Sequence, residues 1–233
     1  SSGSVLGPAR DGSQEPSPSS PCFTDYVHTE LVNFALYDYE EDDFCPSSYD
    51  AVEAHVEWVA AAWGVEPTII DRYSLFESSA NPCWGCSVGV ACGKAGKVVT
   101  TQLPHRHEVA HAARGENCSS LLEEGWAQIY GDHFDENADW TDAGSLRDAM
   151  AGIEDAGAQG EHYPLAARFV AFLLETHGLE SFRELCTRSL ADTAKLDAAL
   201  LDVLGATLDE VQAELDDYPL WSMGQLRQDQ ACE

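Results

Sequence analysis

The sequence predicts an α+β fold: a small mixed sheet with helices in its first half, then a mainly helical second half. Three observations carry this. Short runs rich in β-branched and aromatic residues recur before residue 102, bounded by Gly, Pro, Ser or acidic clusters. Helical periodicity dominates from Tyr130 almost to the end. A chain of 233 residues can also bury a substantial core. We expect one folded unit over 22–233, with an upper α/β lobe at 22–115 and a helical lobe at 116–233.

Residues 1–21, SSGSVLGPARDGSQEPSPSSP, show no apolar period and are dense in Ser, Pro and Gly. They bury too little to offset ordering entropy, and they read as a flexible tether suited to a stalk from an amino-terminal anchor. From Tyr26 to Tyr37, YVHTELVNFALY reads as one strand, ended by the acidic cluster Glu40 to Asp43. PSSYDAVEAHVEWVAAAWG reads as an amphipathic helix, with Ser47 as its cap, Val52, Val56 and Val59 on one stripe, and Gly64 as its stop. PTIIDRYSLF (67–76) and VVTT (98–101) are two further strands. Between them lies a cysteine-bearing loop around a short extended piece, Ser87 to Cys92. After Tyr130, TDAGSLRDAMAGI, YPLAARFVAFLLETHG, LESFRELCTRSL, TAKLDAALLDVLG and TLDEVQAELDDY each carry apolar residues at three and four spacing, broken at Gly178 and Gly205.

Asp and Glu outnumber Lys and Arg by 41 to 12, giving a net charge of -29. That argues against nucleic acid or anionic membrane as a partner, since both demand basic surface. The acidity reads as a strongly solvated surface, or more sharply as attraction for basic substrates. Eight cysteines, an even set, point to disulfides and an oxidising compartment. A Cys22–Cys45 bond would staple the ends of the first strand, and Cys118–Cys186 would tie the middle of the chain to the helical half. A zinc knuckle built from Cys83, Cys86 and Cys92 competes, but no fourth ligand is evident nearby. No signal peptide is visible and no apolar run approaches the length of a membrane span. Removal of an export signal would reconcile this with a secreted or cell-surface location.

The segment TTQLPHRHEVAHAARG carries the chemistry. On a helix, His107 and His111 project from one face, where two imidazoles can grip one ion. Glu108, on the flank of that face, can reach a water on the ion and act as general base. Two imidazoles and a carboxylate suit Zn2+ and leave a fourth position open. The third ligand is sought in SSLLEEGWAQIYGDH, in Glu123 or Glu124. Glu124 is favoured, because Gly125 leaves room for close packing against the first helix.

At these residues the sequence resembles the gluzincin metallopeptidases, the group of thermolysin-like and aminopeptidase-N-like enzymes. In that group HExxH is followed by a glutamate ligand, often within E-G-x-A; here the residues are His107, Glu108, His111 and Glu124-Gly125-Trp126-Ala127. The likeness covers roughly Pro67 to Asp217. It implies a zincin-like fold in which an edge strand, here nearest Ser87 to Cys92, lies along the cleft and pairs with substrate backbone. It also implies Zn2+ on His107, His111 and Glu124, with hydrolysis of peptide or protein substrates by water activated through Glu108. No amine-binding glutamate motif precedes the zinc helix, which favours an endopeptidase. Tyr163 resembles the tyrosine that aminopeptidase-N-like enzymes place at the head of a similar helix to stabilise the oxyanion, although their glycine three residues on is Ala166 here. His162, Tyr130 and His133 stand as alternative donors. Thermolysin-like members orient a zinc histidine with an acidic residue four after the glutamate ligand; that position is Gln128, so Asp132 or Glu123 would have to substitute. His105 would point to the other side of the helix and reads as a surface residue. Two other functions compete: a catalytically silent zinc-fold binding protein, against which the intact Glu108 argues, and a hydrolase of non-peptide amides. The sequence carries no signal of oligomeric state.

Overall fold

A computed structural model describes residues 27–30, 34–38, 46–67, 70–75, 91–94, 96–100, 103–114, 118–131, 144–153, 159–188 and 192–218. The expected tether, the Cys22–Cys45 bond, the acidic cluster at 40–43, Cys83, Cys86, Asp132 and His133 lie outside the described residues.

Strands β1 (Val27–Glu30), β2 (Phe34–Asp38), β3 (Ile70–Leu75), β4 (Ala91–Lys94) and β5 (Lys97–Thr100) form one sheet in the order β1-β2-β3-β5-β4. The sheet is mixed, as expected: β2, β3 and β5 run parallel, and β1 and β4 are antiparallel to their neighbours. The run at 26–37 is a pair of strands rather than one, with Val27 opposite Asp38 and Glu30 opposite Ala35. A single strand of that length would be about twice the usual five or six residues, and pairing the run with itself satisfies backbone groups that a lone edge would leave open.

Helix α1 (Pro46–Trp63) connects β2 to β3. Proline's fixed φ and missing N–H suit the first helical position, so the helix starts at Pro46 and Ser47 falls inside the first turn rather than at the cap. The expected stripe is real: Val52, Val56 and Val59 are all buried, and Gly64 follows the helix with φ 74°. Then come α2 (Arg106–Ala113), α3 (Ser120–Tyr130), α4 (Leu146–Ile153), α5 (Gln159–Cys186), α6 (Thr193–Leu204) and α7 (Leu208–Asp217). The two helices expected at 163–190 run together in α5 across a break at Gly178, whose φ of 82° no other residue type adopts easily. That helix begins at Gln159, so Tyr163 sits within its second turn rather than just ahead of it. Gly205 ends α6 in a left-handed cap, and Thr207 and Glu210 form a capping box on α7.

Helix α3 lies between α2 and α5, and α2 in turn packs against α1 and against β4 and β5. An aromatic cluster locks this stack. Trp126 stacks on Tyr130 (4.0 Å between centroids) and meets Trp63 edge-on at 4.8 Å, and both tryptophans approach Phe182. Removing a buried tryptophan from such a site costs about 3–5 kcal/mol. The Cys118–Cys186 disulfide forms as expected and closes a 68-residue separation, which in the chain-entropy account contributes about 4 kcal/mol, comparable to one of those rings. Among the described residues no helix is long and apolar enough to cross a membrane.

Gly125 packs closely, but against α5 rather than α2: a Cβ there would lie 2.6 Å from Val170 Cγ2 and 2.7 Å from the Ala166 carbonyl carbon. Backbone on the far side cannot yield as a side-chain tip would. Gly125→Ala is therefore expected to lower unfolding free energy by about 1–3 kcal/mol in chemical denaturation, the usual cost of overpacking a tight interface; an unchanged midpoint would show that α3 and α5 are not in this contact.

Candidate metal centre

Both ends of α2 are held by the sheet. His105 is the N-cap but offers no side-chain cap; instead its backbone N–H donates to the Tyr73 hydroxyl on β3 at 2.8 Å. At the other end the Gly96 N–H, in the turn between β4 and β5, donates to the Ala112 carbonyl at 3.2 Å. From the side, the His55 ring of α1 hydrogen-bonds through Nε2 to the Arg106 carbonyl at 3.2 Å. His105 is buried, at 4 % exposure, and not on the surface as its spacing suggested. A helical wheel assumes one wet face, whereas α2 is covered on every side.

Two glycines let neighbouring backbone reach α2. A Cβ on Gly131 would lie 2.5 Å from His107 Cα, and one on Gly93 would lie 2.9 Å from Glu108 Cα. The end of α3 and the strand β4 are thereby set directly on the two residues that matter most.

His107, His111 and Glu124 converge, as the motif predicted. His107 Nε2 and His111 Nε2 are 3.1 Å apart, and Glu124 Oε2 lies 3.3 Å from the first and 3.6 Å from the second. Ligand atoms about 2.0–2.1 Å from a tetrahedral Zn2+ are separated from one another by about 3.3 Å, so these three atoms mark the edges of such a face. Glu124 Oε2, which faces both imidazole Nε2 atoms, is buried with no hydrogen-bond partner aligned on it. A cluster of inward lone pairs in a buried site is costly unless a cation satisfies it, and the donor set of two nitrogens and one carboxylate oxygen fits a divalent metal. The group could hold a metal ion.

The charges agree with that reading. Burial alone would raise the Glu124 pKa, but the imidazoles of His107 and His111 more than offset it and hold this carboxyl well below the usual range. Burial pushes Glu108 up to about 7; His107 draws it down, Glu124 pushes it up, and a hydrogen bond from the Gly93 backbone N–H draws it down again. A dication on the three ligands would lower it further, into the range where Glu108 is ionised at neutral pH.

Tyr163 lies across from His107, with ring centroids 6.1 Å apart. Burial, the Glu124 charge, a hydrogen bond to Glu124 and the Glu108 charge together hold its phenol well above the usual range, so it stays protonated and able to donate. His162 is directed elsewhere: its ring packs over Gly152 of α4, where a Cβ would lie 2.8 Å from its Cε1. Tyr130 belongs to the aromatic stack between Trp58 and Trp126.

Glu123 does not support a ligand. It is bound by Arg114, whose guanidinium is buried, donates to Glu123 at 2.6 Å and to Cys118 Sγ at 3.1 Å, and covers the Trp63 ring at 5.2 Å. The residue behind His107 is Gln128, with its amide 3.4 Å from His107 Nδ1. The sequence held a signal for this, since Gln128 lies one turn after Glu124 on the same face of α3. Glu108's contact with Gly93 had no signal, because it joins a strand to a helix through a residue without a side chain. Cys92 is disulfide-bonded, which removes the thiolate that a zinc knuckle would need.

The chain matches no protein-family model, no curated protein and no solved structure.

Metal analysis of the purified protein after loading with zinc should give about one ion per chain, and His111→Ala should lose it while remaining folded. Retention of tight zinc by that variant would disprove the assignment of these ligands.

Proposed function

We propose that the chain is a secreted or cell-surface zinc metallopeptidase of the gluzincin type, with a zincin-like fold, acting as an endopeptidase on peptide or protein substrates. The observation that carries this is the joining, in one buried site, of three metal-ligand atoms, a non-ligating carboxylate and a protonated phenol. A silent binding protein has no use for Glu108 in that place.

Zinc would supply a Lewis acid for the scissile carbonyl and lower the pKa of its water from 15.7 toward about 7. Glu108 takes a proton from the attacking water as the new C–O bond forms, then returns it to the amine nitrogen as the C–N bond breaks. The Gly93 N–H donates to the Glu108 carboxylate and favours its ionised form, the form a base must take. Tyr163 exchanges its hydrogen bond with Glu124 for one to the developing oxyanion, so α5 contributes the electrophile while α2 and α3 contribute base and metal. The substrate backbone would lie along β4, one of the two edge strands of the described sheet and the one whose Gly93 touches Glu108. The Cys118–Cys186 and Cys92 disulfides support an oxidising, extracytoplasmic setting.

Glu108→Gln should still take up about one zinc per chain on loading and should abolish cleavage of a fluorogenic peptide set, because the substitution removes the base and leaves every ligand in place. Residual turnover near wild type would exclude Glu108 as the base, and zinc-loaded wild type that cleaves no peptide would exclude the peptidase reading.

Tyr163→Phe should leave zinc binding and KM nearly intact while kcat falls by about 100- to 1000-fold, the loss usual for one oxyanion donor. Full activity in the Phe variant would return Tyr163 to a packing role.

A further inference from the structure

Gln128 is 3 % exposed and faces the one nitrogen of His107 that does not point toward Glu124 and His111. A neutral imidazole carries a single N–H, so the demand it makes on Gln128 depends on what Nε2 is doing. With a cation on Nε2, the proton is on Nδ1 and the partner must accept. With the proton on Nε2, Nδ1 is a bare lone pair and the partner must donate. A carboxylate meets only the first demand. A primary amide meets both, because a half-turn of its terminal torsion exchanges an oxygen for an NH2 of nearly the same shape.

We propose that Gln128 is a two-way positioning residue, holding His107 by the amide oxygen when metal is bound and by the amide nitrogen when it is not, so that metal enters and leaves without the ring losing its support. The charge count agrees. Glu108 and Glu124 already set two carboxylates against the two charges of the ion, and a third beside His107 would hold the cation more firmly than that balance. The neutral amide fixes direction without adding charge, and the result is a centre built for metal exchange. The inference rests on the metal centre described above and does not depend on the hydrolytic reading.

The test uses the full chain with its disulfides intact and Zn2+ alone as probe, measuring affinity by chelator competition and release by transfer to a chromogenic chelator. Gln128→Leu, which keeps the volume and removes both hydrogen bonds, is expected to weaken zinc binding by about 10- to 100-fold. Gln128→Glu is expected to slow zinc release by about tenfold or more. Should the Leu variant fail to fold, the near-isosteric Glu variant decides alone. Nitrogen-15 NMR of the histidines gives a readout that mere packing would not move: His107 should carry its proton on Nδ1 with zinc and on Nε2 after chelation. Wild-type affinity and release in both variants, or an Nδ1 proton under both conditions, would overturn the role of Gln128. Wild-type protein that binds no zinc would instead remove the centre itself.

Discussion

Seven consecutive residues of α2, His107 to Ala113, are buried, and the rest of the structure answers to that constraint. A helix covered on all sides has no wet face for its polar side chains and no water for its ends. Each must be met by protein. Its alanines, with Gly93 and Gly131 opposite, let backbone approach from both flanks. The Tyr73 hydroxyl and the Gly96 amide serve the two ends in place of solvent. The sheet is thus less a separate layer than the clamp that fixes this helix.

Once α2 is fixed, the electrostatics of the interior follow from what it carries. Glu108 on α2 and Glu124 on α3 are like charges in a low-dielectric interior, and Glu124 accordingly pushes the Glu108 carboxyl up. A dication held by His107, His111 and Glu124 would balance both. Arg114 sits just past the helix, where a cation is favoured by the carbonyl end of the dipole. Its hold on Glu123 keeps that neighbour of Glu124 out of the metal site, so the choice between the two glutamates is made by α2's own C-terminal cap.

Legibility in the sequence divides along the same line. Spacing within one helix is local, and so His107, Glu108, His111, the Val52 stripe and the glycine stops could be read directly. Cys118–Cys186 was also within reach, since Cys118 is the one cysteine between α2 and α3 in the sequence. What could not be read is which face meets which neighbour: Gly125 was expected on α2 and serves α5, His105 was expected in water and is buried, and Tyr163 was expected at the head of its helix and lies within its second turn. Gln128 was visible only as a missing acid, because an amide's usefulness depends on a ring 21 residues away in sequence.

The scarcity of cations sharpens this picture. With 12 Lys and Arg against 41 Asp and Glu, every buried guanidinium is one fewer on an already acidic surface. Among the described residues, two are nonetheless committed inside. Arg114 bridges α2 to α3, and Arg168 donates from α5 to the carbonyls of Leu215, Asp216 and Tyr218 that end α7. Arg168 acts on the anionic end of a helix and Arg114 on a partly buried carboxylate, where a charge in low dielectric does more than a screened surface pair. Their withdrawal leaves the exterior still more negative, and a field of that sign raises the local concentration of cations and repels anions. The same distribution of charge that holds the helices in register therefore favours the approach of cations, among them any metal ion that His107, His111 and Glu124 could hold.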